Sequence, residues 1–256
     1  QLLHCLIFCH SLQGSNHSNI TLDIMAEKTH HSLLSDLAIK RAMKVGDIVI
    51  EPFNPSNLAT TSYDVTLGPF FFRETNPEPG NGIYNPYSKT MVDQIWGTPQ
   101  KAETHKAWSQ RTGSPLLDNI GPDDLIIWIK PGETILGHTM EYIGGKTSIT
   151  TMMKARSSMG RNFIEVCKCA GWGDVGYVNR WTMEITNNSR YYSIPLVVGR
   201  RIAQIVFFDT EGIEQSSYET SGKYQTSSDL EVLKASWDPT AMLPKMYQDK
   251  EVRALH

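Results

Sequence analysis

The sequence predicts an all-β domain, a distorted jelly roll or barrel, with one short helix near its start. Three observations carry this expectation. Short apolar runs alternating with polar residues recur from Tyr63 to Phe208, separated by Gly, Pro and Asn turn signals. A helical apolar stripe occurs only early, over Leu34, Leu37, Ala38, Ala42 and Val45. The length, 256 residues, suits one sizeable core with additions.

Residues 1–32 read as an N-terminal extension, disordered or a translated leader, because the first methionine is Met25. Its apolar run, residues 2–9, is too short to span a membrane and lacks a basic flank. His4, Cys5, Cys9 and His10 are read as part of that extension rather than as a metal clip. Ser35 or Asp36 caps the helix, which Gly46 stops. A strand follows over residues 48–51, ended by Pro52 and Pro55. Tyr63, Val65 and Leu67 alternate in the next, and residues 70–72 form another. Asp64 inside a strand suggests a structural hydrogen-bonding role.

Residues 74–124 contain six prolines and five glycines with few periodic runs, and predict a surface insertion or lid. Trp96 and Trp108 would pack it onto something, such as a neighbouring subunit. Further strands are expected at 125–130, 134–143, 147–153, 163–169, 180–187, 192–198 and 202–208. Gly144-Gly145-Lys146-Thr147 lacks the first glycine of a phosphate-binding P-loop, Met140 standing in its place, and reads as a hairpin turn. Residues 33–228 therefore make the domain, and polar residues 229–256 a C-terminal extension. No internal repeat is present.

The net charge of −3 gives no broad basic field for nucleic acid. No stretch reaches transmembrane length. Four cysteines make no disulfide framework at this length; Cys167 and Cys169 are expected on one face of a strand, reduced, which points to the cytoplasm.

The chemistry concentrates in residues 154–187. Arg156, Ser157, Ser158, Met159, Gly160 and Arg161 combine guanidinium forks, hydroxyls and a glycine backbone, all suited to phosphate, although a solvated turn would look the same. Asp174 and Tyr177 follow, a hydroxyl reader and a ring to pack on a sugar. Glu184 shares a strand face with Thr182 and Thr186, opposite Trp181 and Met183. Spacing alone leaves it either a solvent-facing glutamate or a pocket carboxylate tuned to move protons.

These blocks resemble the dCTP deaminase family of the dUTPase-like superfamily. The resemblance runs through Arg156-Ser157-Ser158-Met159-Gly160-Arg161, residues 170–177, Thr182-Met183-Glu184-Ile185-Thr186-Asn187, residues 199–204 and Gly222-Lys223-Tyr224-Gln225. The sequence departs from the family pattern at Gly173 (Ile), Val175 (Pro), Asn179 (Gly) and Ser227 (Gln). The resemblance implies a dUTPase-like all-β fold and a homotrimer with active sites shared between subunits. It implies hydrolytic deamination of dCTP to dUTP and ammonia, or onward to dUMP and pyrophosphate, in support of thymidylate synthesis. Glu184, with Ser157 and Arg161, would activate water without zinc. The zinc-deaminase signature is absent, since Cys167 and Cys169 have the wrong spacing. Thr182 and Met183 would read the base through their backbone, and Asp174 the 3′-hydroxyl. Tyr177 would exclude a ribose 2′-hydroxyl. Arg156, Gln204, Tyr218, Lys223 and Gln225 would close on the triphosphate, which brings Mg2+ with it. A dUTPase is the second reading, disfavoured because Val175 and Gly176 supply no second carboxylate. A non-catalytic nucleotide binder is the third.

Overall fold

One long strand carries the architecture. In the computed structural model, which describes residues 32–80, 82–214, 218, 222–225 and 227–253, β7 (Thr134–Gly145) runs for 12 residues. Along one edge it pairs with β1 (Ile48–Glu51) and β3 (Phe70–Arg73); along the other it pairs with β11 (Val178–Asn187). β4 (Gln100–Lys101) extends this sheet beyond β3, and β9 (Ile164–Val166) beyond β11. A second sheet has the order β10 (Trp172–Gly173), β8 (Ile149–Ala155), β13 (Arg201–Asp209), β2 (Tyr63–Thr66). A third joins β12 (Ile194–Val197), β6 (Leu125–Ile129) and β5 (Glu103–Thr104). All pairings are antiparallel, and one core including Tyr63, Ile129, Ile143, Met183, Ile205 and Phe207 lies between the sheets. The all-β expectation holds. Among the described residues no helix is long and apolar enough to cross a membrane.

The early helix α1 (Asp36–Val45) starts where the Ser35 hydroxyl accepts from the Ala38 amide and stops at Gly46, whose φ is 87°. Its buried face differs from the predicted stripe. Ile39 is fully buried and Ala38, Ala42 and Met43 pack on the core, while Leu37 and Val45 are exposed. At 3.6 residues per turn those four cluster within an arc of about 140°, which Leu37 and Val45 fall outside.

Two further expectations are corrected. Gly144 and Gly145 end β7 and do not form the turn, which passes to residues 146–148 with Thr147 at φ 58°. The glycines are required by close approach: a Cβ on Gly144 would lie 1.9 Å from the Tyr177 carbonyl oxygen. β9 stops at Val166, so Cys167 and Cys169 are not strand neighbours. Cys167 and Lys168 take φ values of 61° and 40°, turning the chain so that Cys167 is buried and Cys169 exposed.

The insertion is more ordered than its composition predicts. It carries α2 (Lys89–Trp96), capped by Ser88, and α3 (His105–Thr112), capped by Thr104. Its tryptophans pack within the same chain. Trp96 joins Phe72, Leu136 and Met242, and Trp108 stacks on Trp128 at 4.5 Å. The C-terminal extension begins with α5 (Leu230–Ser236) and folds back onto β3 and β7. The N-terminal extension expected from the sequence, with its apolar run and its His4, Cys5, Cys9 and His10, lies in residues 1–31, outside the described residues.

A bulge divides the β7–β11 ribbon. Between the pairs Arg180–Tyr142 and Thr182–His138, β11 has only Trp181 while β7 has Thr139, Met140 and Glu141. The polar groups of the bulge are buried but paired. The Thr139 hydroxyl donates to the Glu141 carbonyl and accepts from the Trp181 amide, at 2.7 and 2.9 Å. The Glu141 carboxylate accepts from the Thr66 amide and hydroxyl, at 3.0 and 2.9 Å. His138 Nδ1 lies 2.8 Å from the Thr139 carbonyl, and Nε2 lies 3.3 Å from the Phe70 amide. A carbonyl accepts and an amide donates, so His138 is the neutral Nδ1–H tautomer. Burial, reinforced by the Arg180 charge, lowers its pKa from 6.5 to about 4.

An unfolded His138 gains a proton below pH 6.5, whereas the folded one resists protonation down to about 4. This group's stabilisation is therefore complete above pH 6.5 and is lost as the pH falls towards 4. The expected loss is roughly 3 kcal/mol between pH 7 and pH 4. Urea unfolding of wild type and His138→Gln across that range checks it, because the difference between the curves removes other titrating groups such as Glu141. Parallel curves would show that His138 does not carry the effect.

Candidate active site

Glu184 lies on β11 two residues past the bulge, directly opposite Leu136 of β7. Alternation turns Trp181, Met183 and Ile185 into the core and leaves Thr182 and Glu184 half-buried. Both face a cavity of about 320 Å³. β10 lines it with Trp172 and Gly173, and the loop before β11 with Asp174 and Tyr177. Tyr218 and Tyr224 line it from the tail, and Met242 and Pro244 from the C-terminal extension. Burial raises the Glu184 pKa, opposed by its own backbone amide and by Lys168. A carboxylate held there titrates closer to neutrality than a solvated one.

The aromatic wall is self-supporting. The Tyr177 ring meets Trp181 edge-on at 5.2 Å and Tyr218 at 5.1 Å. Trp181 Nε1 donates to the Ile143 carbonyl at 2.9 Å. Burial raises the pKa of both Tyr177 and Tyr218, so they stay neutral hydroxyls.

Two departures from the family pattern, Gly173 and Asn179, find physical reasons here, and nothing in the structure explains Val175 in place of proline. A Cβ on Gly173 would lie 2.5 Å from the Trp181 ring, which fills that space. The Asn179 amide donates to the Tyr224 carbonyl at 2.9 Å, and the Val175 carbonyl accepts from the Tyr218 amide at 3.0 Å. Both bonds fasten the tail to the pocket.

The cavity thus brings together Asp174, Tyr177, Thr182, Glu184 and Tyr218. Met183 is fully buried beneath it. Gln225 is buried behind the wall, its Oε1 accepting from the Val178 amide at 2.8 Å. Lys223 forms an ion pair with Asp249. The remaining sequence-predicted residues lie elsewhere. Arg156 follows β8 at the N-cap of α4, a one-turn helix over Ser157–Arg161, with Ser157, Ser158, Gly160 and Arg161 exposed and Met159 packed on the core. Arg156 Nε lies 3.1 Å from Asp64 Oδ2, Arg201 Nη1 lies 3.0 Å from the same oxygen, and Gln204 Nε2 donates to Oδ1 at 3.2 Å. Asp64 therefore has the structural role expected of it, and it holds Arg156 and Gln204 outside the cavity of their own chain.

Sequence reasoning missed Leu136, Trp181, Tyr224, Met242 and Pro244 as lining residues. Tyr224 could have been found, since it stands inside the Gly222–Gln225 block. Met242 and Pro244 carried no local signal in a polar stretch. Among the described residues no three His, Cys, Asp or Glu side chains cluster as metal ligands.

Comparison with known proteins identifies the family. The model of the dCTP deaminase-like family matches residues 33–210, and the chain belongs to that family. A protein of Methanosphaerula palustris named dCTP deaminase, dUMP-forming is 28% identical over 195 residues, 75% of this chain and 90% of that one. Relatives with the same name occur in Bifidobacterium longum (30% identical, 74% and 86% covered) and Hydrogenobaculum sp. Y04AAS1 (32%, 68% and 81%). Among solved structures, a 2′-deoxycytidine 5′-triphosphate deaminase from Agrobacterium tumefaciens aligns with a TM-score of 0.48 at 18% identity. That alignment covers 70% of this chain, which spans about half (48%) of the other.

Removing the Asp64 carboxylate would leave the half-buried Arg156 without its partner. Asp64→Ala should lower stability by about 2–4 kcal/mol, somewhat less than a fully buried pair because both arginines keep some solvent. Urea denaturation with an unchanged slope checks it, and a loss below about 0.5 kcal/mol would show the network to be a surface one.

Proposed function

We propose that the protein deaminates dCTP hydrolytically, with Glu184 as the proton shuttle. The observation that carries this is a half-buried carboxylate of raised pKa facing a nucleoside-sized cavity beside Asp174 and Tyr177. Water adds to C4 of the cytosine and its proton passes to Glu184. The protonated carboxyl then gives that proton to the amino group, the C4–N4 bond breaks and ammonia leaves, and the proton of the new C4 hydroxyl moves to N3, which gives the uracil carbonyl. A carboxyl of raised pKa serves as base and then as acid. The Thr182 and Met183 backbone would read the base, Asp174 the 3′-hydroxyl, and Tyr177 the face of the deoxyribose. The substrate is the magnesium complex of dCTP, and the reading needs no zinc.

Arg156, Ser157, Ser158 and Arg161 lie outside the cavity of their own chain, and Arg161 is exposed without an ion pair among the described residues. This supports a homotrimer in which one subunit's α4 meets its neighbour's cavity. Ser157 and Arg161 would there orient the water, and the arginines would hold phosphates. The relatives' shared name favours dUMP and pyrophosphate as final products over dUTP, either of which would supply thymidylate synthesis in the cytoplasm.

Incubating the protein with dCTP and magnesium and resolving the products tests the reading. Ammonia with dUMP and pyrophosphate marks the bifunctional form, and ammonia with dUTP the monofunctional one. Cleavage of dUTP with no action on dCTP would make it a dUTPase, and silence with both a nucleotide binder. Glu184→Gln should lower kcat roughly 10²–10⁴-fold while dCTP still binds. As the pH falls through its raised pKa, Glu184 gains a proton and stops acting as base. The acid limb of kcat/KM should therefore lie above the ordinary glutamate value of 4.5. Near-normal turnover in Glu184→Gln would remove it from the mechanism.

A further inference from the structure

The C-terminal extension does not hang free of the site. Asp229 caps α5 by accepting from the Glu231 and Val232 amides at 2.8 and 3.1 Å. Beyond α5, the Trp237 ring sits 4.7 Å from the His138 ring and 4.6 Å from the Arg180 guanidinium, which itself lies 4.9 Å from the Tyr142 ring. This contact delivers the chain to the cavity. Met242, 4% exposed, is buried against Phe72 and Leu136. Leu136 stands directly across the ladder from Glu184, and such cross-strand partners share a face. Met242 therefore lies at the Glu184 end of the cavity, and Pro244 continues its wall.

The same segment grips the tail. The Lys245 amide donates to the Tyr224 hydroxyl at 3.2 Å, Lys245 Nζ donates to the Lys223 carbonyl at 3.0 Å, and Asp249 pairs with the Lys223 ammonium. Tyr224, thus held, lines the cavity.

We propose that residues 237–249 are part of the active site, with Met242 and Pro244 forming the apolar wall that keeps water from Glu184 and fits the nucleotide, and with Lys245 and Asp249 positioning Tyr224. This rests on reading the cavity as the nucleotide site. It assigns a role to a segment beyond residues 33–210, the part matched by the family model. The titratable groups facing Glu184 are Cys167 and Lys168 after β9, Asp174 and Tyr177 before β11, and Tyr218 and Tyr224 from the tail. The two wall residues from the extension are uncharged, so they act on Glu184 through desolvation alone.

The test compares wild type with Met242→Gln, Met242→Leu and Pro244→Ala, each checked for folding by thermal melting. Met242→Gln should move the acid limb of kcat/KM for dCTP down by about half a pH unit or more, as water or an amide reaches the carboxylate. It should also lower kcat/KM roughly tenfold or more, mainly through KM. Met242→Leu should restore both, and Pro244→Ala should raise KM with a smaller shift of the limb. If Met242→Gln does not fold, Pro244→Ala carries the test by its KM. Folded variants with the wild-type limb and KM would overturn the proposal. Calorimetric titration of dCTP into Glu184→Gln, with and without Met242→Gln, separates the two readings. Binding that weakens with the second change keeps the wall even if the wild type proves inactive on dCTP, in which case only the deaminase reading fails.

Discussion

Everything around the cavity depends on two extra residues in one strand. Because β7 carries three residues where β11 carries one, the β7–β11 ribbon cannot close its ladder at Trp181. A hydroxyl, Thr139, takes the orphaned amide, and the Trp181 indole finds the Ile143 carbonyl. The twist a bulge adds brings Trp181 under Tyr177 and sets Thr182 and Glu184 facing the open side. Burying His138, Thr139 and Glu141 in this bulge would be costly if any were unpaired, and each has partners of suitable geometry. The site is thus held by a satisfied polar seam inside an apolar core.

Much of this was legible in the sequence, for identifiable reasons. Period-two alternation located every long strand and put Glu184 on the face away from Trp181 and Met183. Ser35 and Gly46 bounded α1 through capping chemistry. The failures occurred where local pattern loses to tertiary contact. Leu37 and Val45 read as core because any helix offers several faces, and only the docked one, Ile39 with Met43, shows which is buried. Gly144 looked like a turn because turns and close backbone approaches both call for glycine. The insertion looked irregular because its prolines mask two capped helices of only eight residues each. Of the residues lining the cavity, Asp174, Tyr177, Thr182, Glu184 and Tyr218 could be read in advance. The Met242 contribution could not, since nothing in residues 229–256 signals which surface they will cover.

The departures at Gly173 and Asn179 and the C-terminal segment belong together. The Asn179 side chain contacts the tail, and the tail in turn contacts Lys245 and Asp249. Gly173 makes room for Trp181, whose ring braces Tyr177. Considered singly, each change weakens the resemblance. Considered as one contact chain, they join the pocket to the C-terminal segment.

The turn after β9 has a consequence of another kind. By swinging through two left-handed residues it places Cys167 in the core, its Sγ 3.1 Å from Met153 Sδ, and leaves Cys169 at the surface. Burial and the Glu184 charge push the Cys167 thiol up, so at physiological pH it forms almost no thiolate. Oxidants and alkylating reagents react with thiolates, so Cys167 is shielded twice, by access and by ionisation. Among the described residues, oxidative chemistry on thiols would be confined to Cys169, and the sulfur packed beneath the cavity would be spared.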